Sequence, residues 1–197
     1  MSIASTCSSP PGVRFVRYEN EAHLPGIQKV VGSSLSEPYP IFTYRYFLVH
    51  WPQHCYLALD GTNQCIGAII CRLQPHKNTL GFEMDHGAES DGEKFDSKLA
   101  VRSVHGVLVP AALMRGYIAM VAVNPNYRKQ GIGSKLVCLA IESMLQEKAN
   151  EIVLETEATN TQAIHFYQRL GFIKEKRLHR YYLNGVDAFR LKLRAPL

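Results

Sequence analysis

The chain has 197 residues, 46% apolar and 20% charged, with a net charge of +5 at pH 7. That balance fits one folded domain and excludes a disordered chain; the mild basic excess suits an anionic ligand or an acidic partner and is weak for a dedicated nucleic-acid binder. No apolar run reaches the roughly 18–20 residues of a membrane span, and five cysteines at unpaired spacings (Cys7, Cys55, Cys65, Cys71, Cys138) point to a reducing compartment rather than a disulfide scaffold.

Residues 1–12 are rich in Ser and Pro, lack the pattern of a secretory signal, and read as a loose tail. Val13–Tyr18 alternates apolar and basic residues, as a half-buried strand does. Ala22–Leu35 sets Leu24, Ile27, Val30, Val31 and Leu35 at helical spacing, with Pro25 in the first turn. Pro38 and Pro40 then force a loop. Ile41–Trp51 is an apolar-aromatic helix that stops before Pro52. Tyr56–Leu59 and Cys65–Leu73 are strands joined by the hairpin signal Asp60-Gly61-Thr62-Asn63.

Residues 75–114 keep no steady period, and Gly106 and Pro110 break their one apolar stretch. A segment this long without a pattern reads as an insertion in a single domain spanning 13–197. Regular signals resume with the strand Tyr117–Val123. The helix Ile132–Glu147, the strand Glu151–Thr156 and the helix Asn160–Leu170 follow, the last stopped by Gly171. Phe172–Leu183 and Val186–Leu193 form a hairpin, with Asn184-Gly185 as its two-residue turn. The order βααββ, insertion, βαβαββ gives an α/β fold with a mixed sheet.

The sharpest motif is Arg128-x-x-Gly131-x-Gly133, between the strand ending at Val123 and the helix opening at Ile132. The first N–H groups of a helix have no internal partner, and its dipole favours anions. Glycines there let a ligand approach the main chain. Arg128 and Lys129 add charge, so the turn is suited to a pyrophosphate. Two other phosphate loops fail: the order Gly133-Ser134-Lys135 is wrong for a Walker A loop, and Leu136 replaces the third glycine of a dinucleotide fingerprint. The second motif runs from Leu154-Glu155-Thr156-Glu157 to Asn160, Tyr167 and Leu170-Gly171-Phe172. Taken alone, Tyr167 on an apolar helix face reads as core. His50, His54 and Cys55 look metal-like, but Pro52 interrupts them, and packing explains them better. His165, on the helix Asn160–Leu170, reads as non-catalytic and Cys138 as core.

Together these motifs resemble the GCN5-related N-acetyltransferases (GNAT), over roughly residues 13–73 and 115–194. Within that family Ser36-Glu37-Pro38-Tyr39, Thr43-Tyr44-Arg45-Tyr46-Phe47, Gly116–Met120, Leu154–Glu157 and Arg180–Ala188 resemble the NatC-type N-terminal acetyltransferases. The long segment 75–114 departs from their pattern. The resemblance implies a mixed sheet splayed into an acetyl-CoA cleft and flanked by helices. Acetyl-CoA would meet the backbone of Val121, Ala122 and Val123. Its pyrophosphate would lie in the turn of Arg128, Lys129, Gln130, Gly131, Ile132, Gly133 and Ser134, and Asn160 and Tyr167 would complete the cosubstrate site. No metal is implied.

The implied reaction is acetyl transfer to a protein α-amine. That amine has a pKa of about 7.7–8.0, so roughly a tenth is neutral at pH 7 and a base has modest work to do. The resemblance implies Glu155 as base and Tyr167 as acid. Spacing alone leaves Glu157 open, because both carboxylates share a strand face, and Tyr117 could share the base role. Glu155 lies deeper in the apolar stretch, where burial would raise its pKa. Substrate contacts are expected from Leu35, Glu37, Pro38, Tyr39, Tyr117, Tyr181 and Tyr182, around an N-terminus of Met followed by a bulky apolar residue. Expected partners are nascent chains, a large auxiliary subunit, a small Sm-like subunit and, through these, the ribosome; no membrane or direct nucleic-acid contact is expected. The expected location is the cytoplasm. Two other readings keep the fold: a lysine or small-amine acetyltransferase, and a non-catalytic acyl-CoA-binding scaffold. The second would need a damaged catalytic set, yet Glu155, Asn160 and Tyr167 are all present.

Overall fold

The computed structural model describes residues 10–33, 39–76, 101–104, 107–110 and 113–195. In chain order the elements are β1 (Arg14–Arg17), α1 (Leu24–Gly32), α2 (Ile41–His50), β2 (Tyr56–Leu59), β3 (Cys65–Pro75), β4 (Val101–Val104), β5 (Val107–Pro110), β6 (Met114–Val123), α3 (Ile132–Gln146), β7 (Ala149–Glu157), α4 (Thr161–Arg169), β8 (Ile173–Leu178) and β9 (Ala188–Arg194). Seven strands form one sheet in the order β1-β2-β3-β6-β7-β9-β8, and β4 pairs with β5 apart from it. Only β6 and β7 run parallel; every other neighbour in the sheet is antiparallel. This is the mixed α/β sheet expected from the order of elements.

Apolar side chains cover the sheet on both faces. Leu24, Ile27 and Val31 of α1, with Phe47 and Leu48 of α2, pack on Ala68, Ile70 and Met120. On the other face Leu136, Ala140 and Met144 of α3 and Tyr167 of α4 pack on Ile118, Ile152 and Leu191. A Cβ on Gly116 would lie 2.6 Å from Met144 Sδ and 3.0 Å from Ile152 Cγ1, so a side chain there would have to displace Met144 of α3.

The functional consequence lies between the two parallel strands. β6 and β7 pair from Met114↔Ala149 to Tyr117↔Val153 and then part, although each continues, to Val123 and Glu157. A β-bulge breaks the β3–β6 register between Ile70 and Cys71, opposite Met120 and Ile118. Bulges bend a strand and increase its twist, and this one falls where β6 leaves β7. β9 stays paired with β7 along its length, from Glu151↔Arg194 to Glu157↔Ala188. The result is a V-shaped opening inside the sheet.

Two expectations change. The 75–114 segment contributes strand residues at both ends, since β3 runs to Pro75, β6 starts at Met114, and these two residues pair. The last hairpin is not closed by a two-residue turn at Asn184-Gly185. β8 and β9 pair only as far as Leu178↔Ala188, and residues 179–187 form the connection. Asp187 accounts for this: its Oδ1 accepts from the Arg180 N–H at 2.8 Å and its Oδ2 from Arg177 Nε at 2.7 Å. Those bonds close a wider loop and leave Asn184-Gly185 as a bend at its tip. No helix among the described residues is long and apolar enough to cross a membrane.

Candidate active site

Beyond Val123 the chain makes a 3-10 turn at Pro125–Tyr127 before α3. Asn124 fastens it twice: its N–H donates to the Ile66 carbonyl at 2.8 Å, and its side chain accepts from Asn126 N–H at 3.0 Å. Lys129 and Gly131 adopt φ of +62° and +84°, the left-handed region that glycine enters at no steric cost. Gly131 caps α3 with no side-chain hydrogen bond, so the helix presents its first N–H groups to the groove. A Cβ on Gly133 would be 3.6 Å from Phe166 and Val123, ordinary contact for the fold. What a side chain there would obstruct is the groove itself.

That groove has a volume of about 1310 Å³. Every residue expected to hold the cosubstrate lines it except Gln130, which is exposed beside it. Ala122 and Ile132 line it although both are buried in the core. Arg128 Nε donates to the Val123 carbonyl at 3.0 Å, which holds the guanidinium over the strand end. Asn160 caps α4 by accepting from Ala163 N–H at 3.0 Å, so it builds the wall of the groove as well as lining it.

A second cavity, of about 310 Å³, opens where β6 and β7 part. Tyr39, Tyr117, Glu155, Glu157, Tyr181 and Tyr182 line it. Leu35, Glu37 and Pro38 lie outside the described residues. Val121, Asn160, Ala163 and Tyr167 wall both cavities. Tyr167 therefore stands at the junction, with its ring in the core against Phe166 and Phe172.

Glu155 carries the buried charge of the smaller cavity. Its side chain is 4% exposed, and Arg190 Nε donates to its Oε1 at 2.7 Å. Glu157, two residues along β7, accepts from the Thr159 hydroxyl at 3.4 Å. The tyrosines are held as neutral phenols. Burial, then the Glu155 charge, pushes the Tyr117 pKa far above its ordinary value. Burial does the same for Tyr167 and Tyr182, and burial and Glu155 raise Tyr181. The site thus holds one buried anion among hydroxyl donors. Among the described residues no three His, Cys, Asp or Glu side chains group as metal ligands. His54 is instead a core residue, its Nδ1 2.6 Å from the Ser143 hydroxyl, and Cys138 is buried.

Sequence reasoning missed three residues here. Arg190 is paired with Glu155 by the β7–β9 register, a signal available once those two strands are aligned. Arg72 stacks over the Tyr117 ring at 4.8 Å, again from a registered pair on β3 and β6. Asp60, in the β2–β3 turn, accepts from the Tyr127 hydroxyl at 3.2 Å and steadies the phosphate-side turn. Nothing local in the sequence marks that contact.

A mixed sheet parted between two parallel strands, with a glycine-opened helix at one mouth, is the architecture of the GNAT fold. The chain belongs to the acetyltransferase (GNAT) family, whose family profile matches residues 24–172. It is 43% identical to human N-alpha-acetyltransferase 30 over 98% of this chain and 47% of that protein. Identity to the Saccharomyces cerevisiae N-alpha-acetyltransferase 30 is 42%, over 88% of this chain and 82% of that one. The chain spans about half the length of the curated animal relatives it matches. Among solved structures it resembles a chain of the NatC complex bound to Gag peptide and CoA, with a TM-score of 0.74, 37% identity, and coverage of 93% of this chain and 99% of that one.

Proposed function

We propose that this chain is the catalytic subunit of a NatC-type N-terminal acetyltransferase, moving acetyl from acetyl-CoA to the α-amine of proteins that begin with Met and a bulky apolar residue. The observation that carries the reading is Tyr167 at the junction of two cavities, one suited to a pyrophosphate-bearing thioester and one to a peptide amine. The resemblance to a NatC chain solved with CoA and a peptide supports the same assignment.

In this mechanism the N–H groups opening α3, with Arg128 and Lys129, hold the pyrophosphate. The main chain of Val121 and Val123 pairs with the amides of the pantetheine arm. Tyr39, Tyr181 and Tyr182 flank the peptide, and Tyr117 donates a hydrogen bond beside Glu155. The neutral amine nitrogen bonds to the thioester carbon and the C–S bond breaks. Glu155 receives the amine proton, directly or through one water, and Tyr167 protonates the departing sulfur. Both groups return to their starting states by exchange with water, so the net products are an amide and a thiol.

In this reading residues 13–197 are one domain carrying an insertion, and the protein works in the cytoplasm. The partners are a large auxiliary subunit and a small Sm-like subunit, with the ribosome reached through them. An exposed stripe on α2 supports docking of the auxiliary subunit: Phe42, Tyr46 and Val49 share one helix face, with 75%, 46% and 70% of their surfaces exposed. The test is acetyl transfer to a peptide panel, with the chain alone and with candidate subunits. The panel holds Met-Leu, Met-Ile, Met-Asp, Ser and Ala starts, and one blocked peptide with an internal lysine. Preference for Met-Leu and Met-Ile is expected. Activity on the blocked lysine peptide instead overturns the substrate assignment and keeps the fold.

A further inference from the structure

Glu155 is held unevenly. Arg190 Nε donates to Oε1 at 2.7 Å, while Oε2 is buried without a hydrogen-bond partner. A buried carboxylate oxygen that accepts nothing is costly, and such orphans call for a specific explanation. Here the explanation is the cavity that Glu155 lines.

Several groups surround this carboxylate. Arg190 reaches it from β9. Tyr117 faces it from β6, and Tyr181 and Tyr182 from the connection 179–187. Glu157 lies two residues along β7. Arg72 is directed to the ring of Tyr117. Arg190 is thus the cation bonded to Glu155. The β7–β9 pairing continues to Glu157↔Ala188 on one side of this pair and to Glu151↔Arg194 on the other, so the sheet does not depend on the Arg190 side chain.

We propose that Arg190 is a positioning residue for the transfer reaction: it fixes Oε1 and so reserves Oε2 as the acceptor for the incoming α-amine. The inference rests on the acetyltransferase reading above. Guanidinium suits the task because its donors are fixed in a plane and its charge is permanent.

The test compares the full-length protein with R190M and R190K, assembled with its subunits. R190M should lower kcat about tenfold or more, while KM for acetyl-CoA stays unchanged. R190K should recover only part of kcat, because an ammonium lacks the planar fork. A merely structural Arg190 would lower thermal stability and leave kcat of the folded protein unchanged, and that result overturns the proposal. If the unaltered protein acetylates no N-terminal peptide, the functional reading fails separately. The carboxyl-carbon NMR signal of Glu155 at neutral pH then decides the clamp alone: a displaced signal in R190M supports it, and an unmoved signal overturns it.

Discussion

Replacing Tyr167 by Phe removes one oxygen and tests the acid role directly. The ring is 8% exposed and packs edge-on against Phe166 at 4.9 Å and Phe172 at 5.5 Å. Phenylalanine keeps those contacts, so folding should be nearly unaffected, whereas Tyr167→Ala would cost about 3–5 kcal/mol through a core cavity. A positioned acid contributes roughly 10²–10⁴-fold. The leaving thiolate has an ordinary pKa of about 8.5 and departs with little help, which puts the loss at the lower end, about 10²-fold. That is about 2.7 kcal/mol of transition-state stabilisation. Burial holds the phenol protonated well above its usual range, so the loss should be uniform across neutral pH. The assay is kcat with a Met-Leu peptide over that range, alongside calorimetric titration with acetyl-CoA. A kcat within about twofold of the unaltered protein would remove Tyr167 as the acid, and so would a loss matched by weaker acetyl-CoA binding.

Three further outcomes are expected. Glu155→Gln keeps an oxygen for Arg190 yet cannot take a proton; turnover should fall most at low pH, where the amine is mostly charged, and a pH-independent loss would move the base role to Tyr117 or Glu157. Tyr127→Phe frees the phosphate-side turn from Asp60; KM for acetyl-CoA should rise about fivefold with kcat unchanged, as read from initial rates. Burial lowers the His54 pKa against the opposing pull of Glu147, so the fold favours the neutral ring. Its stabilising contribution is complete above the unfolded value of about 6.5 and is lost as pH falls through the lower folded value. Thermal melts should therefore show a steeper acid loss in the unaltered protein than in His54→Gln.

The parts of this site that are local in sequence were legible there. Arg128-x-x-Gly131-x-Gly133 needs only a strand, a turn and a helix in succession, and the structure supplies all three. Glu155 and Tyr167 fall in one cavity because a single turn separates β7 from α4. What stayed hidden depends on pairing. Arg190 reaches Glu155 across 35 residues, and Tyr127 reaches Asp60 across 67; periodicity describes each strand and says nothing of its neighbour. The last connection was misread for a related reason. Asn184-Gly185 is a strong local turn signal, but the bonds of Asp187 to Arg177 and Arg180 widen the loop before that preference can set it.

The parting of β6 and β7 gives the sheet four edges where an open sheet has two. From Ile118 on β6 and Leu154 on β7, main-chain donors and acceptors line the gap without a strand to meet them. Exposed edges are templates for pairing with other chains. A small ligand that carries its own amides can fill one such edge as a short guest strand and withdraw it from that hazard. Anything bound there only in the folded state also stabilises that state by mass action. The same gap that admits a reactant thus leaves the empty protein with an interior seam, and how well that seam is kept closed follows the supply of ligand.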